Sequence, residues 1–366
     1  MASCPLFRAD HIGSLLRPPL LRQAFRQRAR HEIDDAEFRR IQDGCIRDVV
    51  RLQEGVGLKV VTDGEFRRGS YWSRFVEGVN GLAVRESIFK FHDEHGHETD
   101  FTAPHVAGRL HRRHAMATEE FRFAQGLTTA CAKITMPAPS TMHFWRGTQY
   151  ADPGLYADPA EFFRDLGQIY RQEIADLAAA GCRYVQLDEV ALAMLCDPSV
   201  REKVTADGND PARLVEFYVD AINQAVAVRP AGVTVGVHMC RGNFKGRYLA
   251  EGGYDAIAER LFQAAKVNHF LLEFDTPRAG DFAPLRFMPK DKGVVLGLVS
   301  SKVATLESLD LLRRRVDDAA RYVPLDRLAV SPQCGFASTV AGNPVSEADE
   351  TAKLRLVVEA AAAIWG

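Results

Sequence analysis

The chain has 366 residues, 46% of them hydrophobic and 26% charged, with a formal net charge of −2. That is an ordinary globular composition, and its balance gives no electrostatic reason to bind nucleic acid or an anionic membrane. No apolar run approaches the roughly 18 residues that span a bilayer, and the opening MASCPLFRADH lacks the charged-then-apolar pattern of a secretory signal, which predicts a cytoplasmic protein.

Short strand-like runs alternate with longer amphipathic stretches, the pattern of βα units around a parallel sheet. The first run ends in His11-Ile12-Gly13-Ser14 and the second in VVTDGEF, which carries Asp63, Gly64 and Glu65. Residues 72–128 then break the rhythm with HDEHGHETD and PHVAGRLHRRH; they read as an insertion after the second strand, part of it a β-hairpin over the mouth of the fold. The third run ends at Pro137 and is followed by a helix over 160–180, where Phe162, Phe163, Leu166, Ile169, Tyr170, Ile174 and Leu177 fall at helical spacing. The fourth, YVQLDEV, ends in Asp188-Glu189, with a helix over 211–228 after it. The fifth (VTVGVHMC), sixth (HFLLEFD), seventh (VVLGLVSS) and eighth (LAVSPQCG) follow, with helices over 305–321 and 346–364. Eight such units predict an α/β fold, a (β/α)8 TIM barrel forming a single zinc-binding domain over residues 1–366. No GxGxxG follows the first strand, so a dinucleotide-binding sheet has no support.

In a closed parallel barrel the strand ends converge on one mouth, where active sites lie. His238 and Cys240 are two apart on one strand and share a face. Glu273 closes FLLEFD, where a carboxylate among apolar residues is costly without a partner, and Cys334 lies in SPQCG. Two thiolates, an imidazole and a carboxylate make a Zn2+ set, one suited to binding and activating a thiol. The seven cysteines, an odd number, argue against a disulfide framework; most read as small buried hydrophobes, with Cys240 and Cys334 set apart by context. His92, His95 and His97 offer a second metal reading, but their polar, glycine-containing setting reads better as a solvated loop. Glu65 and Asp188 stand at strand ends and suit a substrate ammonium group, with capping or pairing to Arg67 and Arg68 as the bland alternative. Gly13 lets a ligand approach the backbone, and Ser14 can hold a carboxylate.

Taken in order, HIGS (11–14), DGE (63–65), QLDEVAL (186–192), HMC (238–240), the Glu of LLEFD (271–275) and PQCG (332–335) resemble the catalytic barrel of cobalamin-independent methionine synthase over essentially the whole chain. The resemblance implies His238, Cys240, Glu273 and Cys334 as zinc ligands. It implies Glu65 and Asp188 at the amino group of homocysteine, and Ile12 and Ser14 near its carboxylate. The implied function is a zinc-dependent thiol alkyltransferase that methylates homocysteine to methionine, with Glu273 the ligand that yields to the incoming sulfur.

The chain departs from that family on the donor side. The full-length enzymes carry a second, N-terminal barrel that 366 residues cannot also contain. The family's strand-seven histidine is replaced in VVLGLVSSK by the region of Ser300 and Ser301. Trp145 falls several residues beyond the place of the folate-stacking tryptophan, and Val190 replaces the proline of DEPAL. The pattern is similar to short, methionine synthase II-like paralogues, a group related to epoxyalkane:coenzyme M transferases. The methyl donor is therefore left open among a folate, a methylated corrinoid or corrinoid protein, and another small methyl compound. The alternatives are zinc-thiolate addition to an epoxide or other electrophile, which cations such as Arg67, Arg68 or Lys302 in the pocket would favour; a non-catalytic zinc-binding barrel; and a decarboxylase-like barrel using Asp188 and Glu189, which leaves the cysteines unexplained.

Overall fold

The computed structural model describes residues 5–92 and 98–366. Seven strands form one parallel sheet in chain order: β1 Val60–Val61, then, past an antiparallel pair β2 Val79–Glu86 and β3 Thr102–Arg112, the strands β4 Cys131–Pro137, β5 Tyr184–Glu189, β6 Thr234–Met239, β7 His269–Glu273, β8 Gly293–Val299 and β9 Leu328–Pro332. Their β-branched and apolar residues are buried on both faces, as a sheet wrapped by helices requires. The sheet is curled, and the segment around residues 8–14 runs between its two edges. On one side the Asp10 amide donates to the Val330 carbonyl at 3.0 Å; on the other the Leu15 amide donates to the Gly64 carbonyl at 3.1 Å.

The first predicted strand is thus reduced to a single bridge between Ala9 and Val330, and the second to two residues. Side chains take over where the ladder stops. Gln53 serves both backbone groups of Thr62, donating to its carbonyl at 2.9 Å and accepting from its amide at 2.9 Å, while the Thr62 hydroxyl donates to the Gly13 carbonyl at 2.6 Å.

The predicted helices appear as Pro159–Ala179, Pro211–Val226, Leu309–Ala320 and Glu347–Trp365. Their starts are fixed by capping oxygens: Asp158 accepts from the Glu161 amide, Asp210 from the Ala212 amide and Ser346 from the Asp349 amide. Among the described residues, no helix is long and apolar enough to cross a membrane.

Residues 72–128 hold more regular structure than their composition predicts. Helix Ser73–Glu77 leads into the antiparallel β2–β3 pair, and helix Thr118–Gln125 returns the chain to β4. The pair is pinned to the helical layer because Arg112 donates to Glu173 at 2.6 Å, and the same carboxylate accepts from the Met116 and Ala117 amides. Within the pair, the backbone of Phe91–His92 joins that of Glu98–Thr99; the His95 and His97 of the second metal reading lie outside the described residues.

Inside the curl, an apolar layer of Ile12, Leu271, Val295 and Ala329 sits beside a buried polar one. There Lys133 donates to Asp10 at 2.7 Å and to the Gln186 side-chain carbonyl at 2.9 Å, and Tyr184 donates to the second oxygen of Asp10 at 2.7 Å. A fully buried ammonium is held only with such a partner set.

Candidate metal and thiol site

The register of the parallel strands sets Asp188 opposite His238 at the C-terminal end of the sheet. His238 lies on β6, Cys240 directly after it, and Cys334 just beyond β9. One ligand atom from each of His238, Cys240 and Cys334 lies within 4.8 Å of the other two, and all three residues are buried. The two sulfurs are 3.6 Å apart. His238 Nδ1 faces the Leu271 carbonyl at 3.2 Å, so that nitrogen carries the proton, and the other, Nε2, is buried without a partner. An orphaned imidazole lone pair beside two thiols fits a borderline-soft cation such as Zn2+. The two thiols share a hydrogen bond unequally: it raises the Cys240 thiol and, together with His238, holds Cys334 well below the usual thiol range.

Glu273 stands outside this three-residue cluster, close enough for its charge to act on Cys240. Its carboxylate is fully buried and already engaged, accepting from the Arg241 amide at 2.6 Å and from Arg278 at 2.9 Å, with Lys302 at 3.6 Å. Burial alone would raise its pKa; Lys302, Arg241 and Arg278 overcome that and hold it at about 2. Sequence reasoning placed the carboxylate correctly at a strand end, but these cationic partners converge on it only in the folded chain.

The acid pair is built differently. Glu65 has φ 60°, a left-handed conformation uncommon outside glycine. It is sustained by Arg17, which donates to the Glu65 carbonyl at 2.9 Å and the Arg68 carbonyl at 3.1 Å. One Glu65 oxygen accepts from the Thr135 hydroxyl at 2.7 Å, and the other is buried without a partner. Asp188 accepts from the Gln186 amide nitrogen at 2.7 Å. Burial raises both carboxyls, Asp188 to about 7, with the Glu65 charge adding to the rise. Two crowded acids short of hydrogen-bond donors suit a cationic guest. Close packing fixes the neighbouring Ser14: a Cβ on Gly335 would stand 1.9 Å from its hydroxyl oxygen.

Ile12, Ser14, Glu65, Asp188, His238, Cys240 and Cys334 line one chamber of about 60 Å³. It adjoins a wider vestibule of about 530 Å³ whose wall includes Asp100, Phe101 and Thr102 at the foot of the hairpin. Tyr71, Trp145, Asn243 and Ser338 belong to both spaces. Sequence reasoning did not assign these four; Trp145 was displaced from its expected place, and Tyr71 follows the DGEF segment with no periodic signal. The cations weighed from the sequence do not line the chamber. Arg67 pairs with Asp43, Arg68 with Glu120 at 2.9 Å and also with Glu65 at 3.5 Å, and Lys302 with Glu273.

The chain has relatives along nearly its whole length. The family described as "Cobalamin-independent synthase, Catalytic domain" matches residues 7–363. The uncharacterized protein YxjH of Bacillus subtilis is 40% identical over 98% of this chain and 95% of its own. A protein named methionine synthase from Pyrococcus abyssi is 26% identical over 91% of this chain and 87% of its own. The structure of a "Putative Vitamin-B12 Independent Methionine Synthase" from Listeria monocytogenes superposes with a TM-score of 0.77 at 31% identity, covering all of both chains. With the family match running almost end to end, the chain belongs to the catalytic-domain family of cobalamin-independent methionine synthases.

Proposed function

We propose that this protein is a zinc-dependent methyltransferase that converts homocysteine to methionine, working in the cytoplasm. The 8–14 segment would complete an eight-membered barrel, with 72–128 as its insertion. The observation that carries the reading is the single chamber in which a His-Cys-Cys cluster faces a pair of under-satisfied acids. The names of the family and of relatives such as the Pyrococcus protein support it.

His238, Cys240 and Cys334 would hold the metal, and Glu273 would be the exchangeable fourth ligand. Bound there, zinc supplies a lowered thiol pKa, so that the substrate sulfur is a thiolate at neutral pH. The protein's own residues do the rest. Arg241 and Arg278 hold the Glu273 carboxylate to one side, which leaves room for the substrate sulfur. Glu65 and Asp188 take the substrate ammonium group, and Ser14 with the Ile12 backbone orients its carboxylate, so the sulfur is presented toward the vestibule. Burial excludes water from the acid pair and strengthens its hold.

A thiol ending in a sulfonate, as an epoxide-opening relative would use, needs a cation where this chamber has two acids. An amino-acid thiol is the better fit. Calorimetric titration of zinc-replete protein with homocysteine, in two buffers of different ionisation enthalpy, tests the reading. Saturable binding with about one proton released is expected; no binding by metal-loaded protein would overturn it.

A further inference from the structure

From the lining of the vestibule we infer that the methyl donor is a small onium cation, a methylsulfonium or quaternary methylammonium compound. This rests on reading the inner chamber as the thiol site. Five aromatic residues, Tyr71, Trp72, Phe101, Trp145 and Phe244, contribute to the vestibule wall. Phe101 and Trp145 meet edge to face with ring centroids 5.3 Å apart. Among the described lining residues there is no Lys, Arg or His, and the single charged side chain, Asp100, pairs with Lys90 at 3.6 Å. Aromatic faces with no cationic side chain among them are the recognition chemistry of a methylated onium group. Exposed Lys245, which is not among the lining residues, lies 5.2 Å from the centre of the Phe244 ring, a cation of the protein held on one of these rings.

The chemistry of departure points the same way. In transfer from a sulfonium, the C–S bond to the donor breaks with its electron pair going to the donor sulfur, and the thiolate pair forms the new C–S bond. A cation and an anion become two neutral thioethers, and the leaving group needs no proton. A donor whose methyl leaves nitrogen as an amide-like anion must be protonated as it departs. Among the described residues the vestibule presents no histidine, cysteine or lysine to do so, and Asp100 sits with its side chain 80% exposed. Inward, the carboxyl groups of Glu65 and Asp188 lie beside the shared neck of Tyr71 and Trp145.

The test titrates zinc-replete protein with trimethylsulfonium, and with choline against its uncharged isostere 3,3-dimethylbutan-1-ol, by calorimetry and tryptophan fluorescence. The onium ions should bind at least about tenfold more tightly than the isostere. Trp145→Leu should abolish that preference, and Phe101→Leu, on the partly exposed hairpin, should weaken it and guards against a misfolded Trp145 variant. Equal binding of the isostere, or no saturation by either onium ion, overturns the inference. Methionine formation from homocysteine is then measured with S-methylmethionine and glycine betaine, beside 5-methyltetrahydrofolate and methylcobalamin. Turnover with an onium donor supports the inference. Turnover with only the folate or corrinoid donor overturns it and leaves the thiol reading standing. Selective onium binding by protein that fails to bind homocysteine overturns the thiol reading instead.

Discussion

The sulfurs of Cys240 and Cys334 stand 3.6 Å apart although 94 residues separate them in the chain. That is too long for a disulfide, which needs about 2.05 Å, and suited to two ligands of one ion. His238 Nε2, buried and unpartnered, completes the set. Cys334→Ser should therefore cost more metal affinity than the roughly 10–100-fold that follows loss of an outer-shell partner. Metal content after dialysis against a chelator measures it; full retention of one zinc per chain would rule the cluster out as the site.

Glu273 is held by two cationic side chains and a backbone amide. Glu273→Gln keeps the shape but removes the nearer counter-charge of Arg278 and Lys302, leaving Arg278 with Asp275 at 3.9 Å. We expect a stability loss of about 3 kcal/mol in urea melts, with zinc retained at affinity reduced by about tenfold. Complete loss of zinc from a folded variant would make Glu273 a fixed ligand instead of an exchangeable one.

Lys133 links the polar layer to the acid pair, since it donates to Gln186, which in turn donates to Asp188. Lys133→Met strands Asp10 and should destabilise the fold by about 3–5 kcal/mol. The double variant with Asp10→Asn should recover much of that loss, while KM for homocysteine stays raised because Gln186 is no longer oriented. A double variant with wild-type KM would remove Lys133 from any positioning role.

Glu350 accepts from the Leu16 amide at 2.8 Å, yet burial pushes its pKa up from 4.5 to about 8. The folded state thus binds this proton more tightly than the unfolded state does. Its contribution to stability is greatest below about pH 4.5 and falls as pH rises through about 8. Glu350→Gln keeps the acceptor and removes the slope, so the variant should gain on the wild type across that window, by at most about 5 kcal/mol. Melts at pH 5 and pH 9 compare them; a constant difference would mean that Glu350 is not the titrating group.

Much of the site was legible because chemistry and strand ends coincide in the sequence. An acidic, histidine or cysteine residue after an apolar run marks a position that a parallel sheet delivers to its C-terminal edge, and Asp188, His238, Cys240 and Cys334 all follow that rule. The helices were legible from their 3.6-residue periodicity. The first two strands were overcalled because Gln53 and Thr62 replace backbone ladder bonds with side-chain ones, which no pattern of hydrophobicity records. The hairpin expected within 72–128 is present as the antiparallel pair, whereas helix Thr118–Gln125 was missed because charged anchors such as Arg112 and Glu173 hold this region alongside apolar packing.

The sequence by itself determined which residue types end each strand, and with them the candidate metal-ligand set. Only the tertiary structure decided which of those residues meet. It brought Cys334 against Cys240, turned Glu273 toward Arg278 and Lys302, left the neighbouring acids short of donors, and set Tyr71 and Trp145 at the neck between the two spaces. The reason is physical: strand periodicity is a local property of the backbone, whereas coordination, ion pairing and ring contact depend on atoms a few ångströms apart in space and as many as three hundred residues apart in the chain.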